Sequence, residues 1–260
     1  MPFIKHSCLL FIGFSLYLLA EAQVSDSSST LPPITGMSKS NRYLNMKAEN
    51  QHLHLKPFII PATLFLYGLG SIKNDGLQHI NTELKDEVYA EHPHRQIHLD
   101  NYLQFAPAAA VYALNLSGIK GKHNLADRSI IYLMSNIILN ITVASVKKIS
   151  HEMRPDGSDH FSFPSGHTAE AFASAEFLYQ EYKDRYPWPG VAGYSMATAT
   201  GYLRMYNNKH WFGDVVAGAG IGIVSTKLAY WLYPKIQHKL WKRKFCVYSK
   251  LSHCFASCGR

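Results

Sequence analysis

Cysteine is scarce in this chain: Cys8, Cys246, Cys254 and Cys258 are the four among 260 residues. That count excludes a disulfide-stapled scaffold, and none of them sits in a recognisable setting for a catalytic thiol. If Cys8 leaves with a signal segment, three remain, and an odd count allows one bridge at most, such as Cys254 to Cys258. Metal-ligand spacing is missing as well. His79, His92, His94 and His98 crowd one polar region, but without the Cys/His intervals of known zinc sites, so no metal and no other cofactor is expected. No alternating strand pattern persists and no internal repeat is evident, which leaves an all-α chain. Acidic residues are fewer than basic ones, 18 against 26, giving a net charge of +8 and a pI near 9.2. A basic balance suits anionic partners. No nucleic-acid-binding motif accompanies it, so a phosphorylated lipid is the expected partner and nucleic acid is not. Long apolar runs are also rare. Residues 130–146 are the one stretch that could cross a bilayer, and mean hydropathy is only −0.11.

Against these absences stand three short stretches. The first is Lys147, six residues, then Arg154-Pro155. The second is Phe163-Pro164-Ser165-Gly166-His167. The third is Arg204, five residues, His210, three residues, Asp214. His210 and Asp214 are four apart, one helical turn, so the carboxylate can accept the proton of one ring nitrogen and leave the other free to attack. Lys147 and Arg154 are seven apart and would share a face on a helix. Three cations with a histidine nucleophile suit phosphoryl transfer without a metal. Ser165 is a natural N-cap for the helical pattern that follows, and Gly166 lets backbone approach a ligand. The N–H groups of that helix start favour an anion. His167 stands beside it, placed to protonate a leaving oxygen. Taken singly, each piece has a bland reading: a helix-surface pair, a helix-start histidine, a solvated lysine end. Taken together they do not.

In order and spacing, the three stretches resemble the signature of the type 2 phosphatidic acid phosphatases. That superfamily also includes class A acid phosphatases and vanadium haloperoxidases. The resemblance covers residues 55–235. It implies that His210 is a nucleophile forming a phosphohistidine, that Asp214 orients it, and that His167 is general acid and then base. It further implies that Lys147, Arg154, Arg204 and the backbone near Ser165 and Gly166 bind the phosphate. Two departures stand out. Leu203 occupies a position where the family usually has serine, and only eight residues separate Pro155 from Pro164. The short gap implies a small loop over the site and counts against the haloperoxidases.

The amino terminus reads as a secretory signal over residues 1–22. Lys5 and His6 precede the apolar run from Cys8 to Leu19, and Ala20-Glu21-Ala22 is a small-residue cleavage site. Residues 23–54 are linker and lead-in, 55–235 the phosphatase domain, and 236–260 a basic tail with Trp241 and Phe245 suited to an anionic lipid surface.

Helical patterns run over 58–72, with Pro61 in the first turn, 103–116 with a break at Pro107, 127–150, 168–182, 191–205 and 212–233. This predicts an all-α bundle of about six helices with the active site at one end. If the helices span, every motif falls at one face, and the basic residues gather at the other, the positive-inside pattern of a site outside the cytoplasm. The glutamates at 170 and 176 and the parity of spans after a cleaved signal oppose that arrangement. The reading is an exported phosphatase on the periplasmic face, membrane-associated, acting on lipid A, phosphatidic acid, phosphatidylglycerol phosphate or undecaprenyl pyrophosphate. A soluble periplasmic acid phosphatase is the runner-up, and an inactive phospholipid-binding protein the alternative from another class.

Overall fold

The computed structural model describes residues 55–90 and 95–257, with side chains of the last helix described to residue 238. The signal segment, its cleavage site, His92, His94, and the side chains of the basic tail and of all four cysteines lie outside the described residues. Among the described residues there are eight α-helices: α1 Lys56–Ser71, α2 Asp75–Lys85, α3 Asp100–Leu103, α4 Ala106–Leu116, α5 Leu125–Ser150, α6 Gly166–Tyr182, α7 Trp188–Tyr206 and α8 Phe212–Ser257. A π-helical turn, Asp86–Ala90, follows α2. Among the described residues there is no strand, so the all-α expectation holds.

Local chemistry sets most of the boundaries. Asn74, Asn124 and Ser165 are N-caps whose side chains accept from Leu77, Asp127 and Thr168 backbone N–H groups. Pro57 and Pro107 take the first positions of α1 and α4, where no intrahelical donor is required. Helix α1 thus begins a little earlier than the pattern suggested, and Pro61 falls inside it rather than in its first turn. At the other end of the chain, α8 runs past Tyr233 and through Pro234 to Ser257. One proline removes a single donor and clashes with one carbonyl, at a cost of about 3 kcal/mol. The Lys-, Leu- and Gln-containing sequence beyond it has good helix propensity and carries the helix onward.

Helix α6 is the centre of the bundle, flanked by α7, α8, α5 and α4. Its residues Ala169, Phe172, Ala173, Phe177 and Leu178 are buried, and with Glu170, Ser174, Glu176 and Glu181 also buried the helix is enclosed nearly all round. Phe177 stacks on Tyr132 of α5 with ring centroids 4.9 Å apart; Phe177→Ala would cost about 3–5 kcal/mol. Helix α8 comes close to α1 and α6 because it offers glycine at the crossings. A Cβ on Gly218 would stand 2.6 Å from the Ser165 carbonyl oxygen, and one on Gly220 or Gly222 would collide with the carbonyls of Pro61 and Ala169. These crossings hold the ends of the helices, and with them the three motifs, in register.

Two helices, α5 and the 212–238 part of α8, are long and apolar enough to cross a membrane. They differ in surroundings. The apolar stretch of α8 is mostly buried, whereas that of α5 is mostly exposed, with Ile130, Leu133, Ile137 and Ile141 on its surface.

Candidate active site

The motif residues gather where four helix ends meet. Lys147 lies in the last turn of α5, His167 in the first turn of α6, Arg204 in the last turn of α7, and His210 two residues before α8. The predicted arrangement needs two corrections. Helix α5 stops at Ser150, with His151 in the left-handed region at φ 47°, so Arg154 does not share a helical face with Lys147. It reaches the site from the 151–165 loop, where its Nε pairs with Asp159 at 2.9 Å. Likewise His210 is outside α8, and its contact with Asp214 crosses the helix start instead of running along one face.

Asp214 sits three residues into α8, and its Oδ2 accepts the Trp211 backbone N–H at 2.9 Å. That is half of a capping box, with the carboxylate at the positive end of the helix. The same oxygen accepts from the Ser162 hydroxyl at 2.5 Å and faces His210 Nδ1 at 3.3 Å. A proton on Nδ1 directs the lone pair of His210 to Nε2. Among the described residues the ring makes no other hydrogen bond. His210 is buried, which holds it down at about 4; Asp214 opposes the shift, and Arg204 and Lys147 add to it. At neutral pH it is an uncharged imidazole.

The half-buried His167 is also held down at about 4, first by burial and then by Arg204, with Asp100 opposing and Arg154 and Lys147 adding. The same cations therefore act on both histidines, so the structure brings all three motifs within electrostatic reach of one another. Lys147 Nζ donates to the carbonyls of Phe161 and Ser162, at 2.5 and 3.2 Å. Arg204 donates from one terminal nitrogen to Asp100 at 2.7 Å, while its buried Nε has no hydrogen-bond partner among the described residues. Ser165 is buried, caps α6, and donates its backbone N–H to the Asp214 carbonyl at 3.1 Å. Its amide thus locks the second motif to the third. Gly166 and His167 follow at the N-terminus of α6, where backbone N–H groups and the helix dipole attract an anion.

Several contributors had no place in the motif reading. Ser162 and Glu152 lie within or beside the motifs. The Glu152 carboxyl is turned toward Asp214, its Oε2 buried with no donor facing it. Burial, then the charge of Asp214 and a hydrogen bond with it, push Glu152 up to about 9, which favours its protonated form. Asp100 and Asn101 come from α3, and Asn101 Oδ1 stands 2.9 Å from His167 Nε2. Lys85 of α2 donates to the Pro155 carbonyl at 3.2 Å and lies over the Trp211 ring. The described parts of the polar region 73–100 thus reach the site through Lys85 and Asp100.

Residues 128–238 match the PAP2 superfamily model. This region belongs to the PAP2 superfamily. The PAP2 region contains all three motif stretches, from Lys147 to Asp214. The chain is 31% identical over 210 residues to the lipid A 1-phosphatase of Porphyromonas gingivalis, covering 80% of this chain and 43% of that protein. It is 39% identical over 83 residues to the lipid A 4'-phosphatase of Bacteroides thetaiotaomicron, covering 32% of this chain and 34% of that protein. The chain thus spans less than half the length of these curated relatives. Two solved structures resemble it at 21% identity. The crystal structure of Aquifex aeolicus LpxE matches with a TM-score of 0.38 over 70% of this chain and 98% of that one. The transmembrane PAP2-type phosphatidylglycerolphosphate phosphatase from Bacillus subtilis matches with 0.44, over 68% and 97%.

Proposed function

We propose that this chain is a membrane-associated phosphatase that cleaves a phosphate monoester or pyrophosphate of a lipid through a phosphohistidine. The observation that carries this reading is the meeting, at one end of the bundle, of His210–Asp214, His167 and the cations Lys147, Arg154 and Arg204. The phosphoryl group sits among the three cations and the α6 N-terminus, which neutralise charge on its oxygens. His210 Nε2 attacks phosphorus as the bond to the leaving oxygen breaks. Asp214 holds the Nδ1 proton and stabilises the imidazolium that forms. His167 gives its proton to the leaving oxygen. It then takes one from water, whose oxygen displaces His210 and releases inorganic phosphate. In the free protein His167 is neutral because burial and then the cations around it disfavour its charged form. A bound phosphate dianion reverses that field and lets it carry the proton it must donate.

The substrate class rests on two kinds of support. Both curated relatives are named as lipid A phosphatases, which supports lipid A phosphate ahead of phosphatidic acid, phosphatidylglycerol phosphate and undecaprenyl pyrophosphate. The long exposed apolar face of α5 supports association with a bilayer, where Ile130, Leu133, Ile137 and Ile141 would meet acyl chains. The signal-like amino terminus and the basic residues away from the site support an active site on the periplasmic face.

The test is phosphate release by purified protein in EDTA, from p-nitrophenyl phosphate and a panel of lipid phosphates in detergent, with His210→Ala as control. Release from a lipid, lost in the variant, supports the proposal and identifies the substrate. Strong release from the small ester too would favour a broad-specificity acid phosphatase. No release from any substrate would favour a binding protein.

A further inference from the structure

The segment 97–101 precedes the PAP2 region, yet it is fastened to the site at three points within five residues. The buried Asn207 grips Ile97 in both directions: its Oδ1 accepts the Ile97 N–H at 2.9 Å, and its Nδ2 donates to the Ile97 carbonyl at 2.7 Å. Asp100, itself buried, pairs with Arg204 at 2.7 Å. Asn101 Oδ1 meets His167 Nε2 at 2.9 Å. Asn207 lies three residues beyond Arg204, so the first two contacts tie the segment to the end of α7. The third ties it to the start of α6. Such a strap fixes where Asn101 stands, and through it the plane of the His167 ring.

We propose that Asn101 is the positioning residue of His167: its Oδ1 accepts the Nε2 proton and so leaves Nδ1 as the nitrogen that serves the leaving oxygen. The inference rests on the assignment of His167 as general acid made above. An imidazole has two nitrogens, and the partner of one decides the protonation of the other. His210 is oriented through Nδ1 by a carboxylate, whereas His167 is oriented through Nε2 by a neutral amide. The chemistry asked of them accounts for that difference. A nucleophile gains from a negative charge behind it. A general acid must release its proton, and a carboxylate behind it would hold that proton more tightly. The charges around His167 already favour release. Arg204 on α7, Lys147 on α5 and Arg154 on the 151–165 loop push it down, with Asp100 on α3 alone opposing. A neutral Asn101 adds no charge to that balance, and an aspartate there would.

Two variants test this, Asn101→Ala and Asn101→Asp, each compared with the parent by ring ¹⁵N spectra and by turnover. The spectra use ¹⁵N-histidine-labelled protein in detergent, with His167 assigned from His167→Gln. The expected parent spectrum shows His167 with its proton on Nε2. Asn101→Ala should mix the tautomers. It should slow turnover of the lipid phosphate, a poor leaving group, by about tenfold or more, a part of the 10²–10⁴ that general acid catalysis supplies. It should leave p-nitrophenyl phosphate within about threefold, since a good leaving group needs little protonation. Asn101→Asp should keep the tautomer and raise the His167 titration by about one to three pH units, carrying the alkaline limb of the kcat profile with it. A parent proton on Nδ1, or unchanged His167 signals in both variants, would overturn the proposal. So would equal slowing of good and poor leaving groups in Asn101→Ala. Because the spectra need no turnover, failure of the phosphatase assay would sink the proposed reaction while still leaving the tautomer result to judge Asn101.

Discussion

Two histidine–carboxylate pairs stand at opposite ends of α6, and only one of them belongs to the proposed site. At the start of the helix, His210 Nδ1 faces Asp214 at 3.3 Å. Beyond its other end, His123 Nδ1 faces Glu181 at 2.7 Å. By distance the second is the better pair. What separates them is how the rest of each environment is used. Glu181 is saturated: Oε1 also accepts from Tyr230 at 2.8 Å, and Oε2 accepts the His123 N–H at 3.1 Å with Arg128 at 3.9 Å. Every partner is a fixed part of the fold, and the group closes on itself. At Asp214 the contacts converge on one oxygen, the histidine keeps Nε2 uncommitted among the described residues, and two cations from other elements, Arg204 and Lys147, act on it electrostatically. A histidine–carboxylate pair therefore says little alone. The surrounding cations and the helix N-terminus mark the functional one, and that was also what separated the three-motif reading from its bland alternatives.

The sharpest way to break this comparison is to remove each histidine. His210→Ala should reduce turnover by about 10⁴-fold or more, as loss of a nucleophile in a cooperating set does. His123→Ala should leave kcat within about twofold and instead lower the thermal midpoint, because a buried carboxylate loses a partner at about 3 kcal/mol. Assays of phosphate release and thermal unfolding in detergent read both. Equal losses of activity would show that the Glu181 cluster also serves the chemistry.

Next in size are the carboxylates. Asp214→Asn keeps the shape but can donate where the carboxylate accepted, which spoils the tautomer of His210 and should cost about 10³–10⁴ in kcat. Glu181→Gln should cost stability in place of activity, since Arg128 is left buried without its counter-charge. Single-turnover kinetics beside unfolding curves separate the two outcomes.

A third prediction concerns pH. Glu152 has its carboxyl raised to about 9, above its ordinary value near 4.5. The unfolded chain releases that proton at lower pH than the folded one. Its contribution to stability is therefore complete below about 4.5 and is lost as pH rises toward 9. His210, held at about 4, acts in the opposite sense. Its contribution is complete above about 6.5 and lost as pH falls toward 4. Glu152→Gln should remove that fall in stability between about pH 4.5 and 9 and leave the profile below about 4.5 unchanged. An unaltered fall would show that Glu152 ionises freely.

The sequence carried the site further than it carried the geometry. His167, His210, Asp214 and the three cations were legible because each motif is local, a fixed spacing within one stretch. The N-cap role of Ser165 was legible for the same reason, and the helix does begin immediately after it. The helices themselves followed from periodicity and capping. What escaped were contacts closed by tertiary structure. Asp100 and Asn101 reach Arg204 and His167 across 104 and 66 residues, and no local pattern announces such a meeting. Glu152 was in plain view inside the first motif, but its role depends on facing Asp214 from another element. Glutamates 170 and 176 weighed against a membrane-spanning α6 when taken as bare charges. In the fold both are buried with partners, Glu170 bonded to Tyr132 at 2.6 Å and Glu176 to Lys227 at 3.0 Å, which is how an apolar interior accepts a carboxylate.

The smallest predicted effect tests the closed pair by its least essential member. Tyr230 donates to Glu181 Oε1 and its ring lies 5.5 Å from that of His123. Tyr230→Phe removes one hydroxyl and keeps the ring. Glu181 retains His123 and Arg128, so the loss should be about 1 kcal/mol, read as a small drop in thermal midpoint, with turnover within about twofold. At the other pair, Ser162→Ala removes one hydroxyl from Asp214 in the same way, and Asp214 keeps the Trp211 N–H and His210. If the comparison is sound, the two deletions separate by observable: Tyr230→Phe moves stability, whereas Ser162→Ala moves kcat, because the surviving contacts at Asp214 must still hold a ring in line for attack and those at Glu181 need only hold a fold.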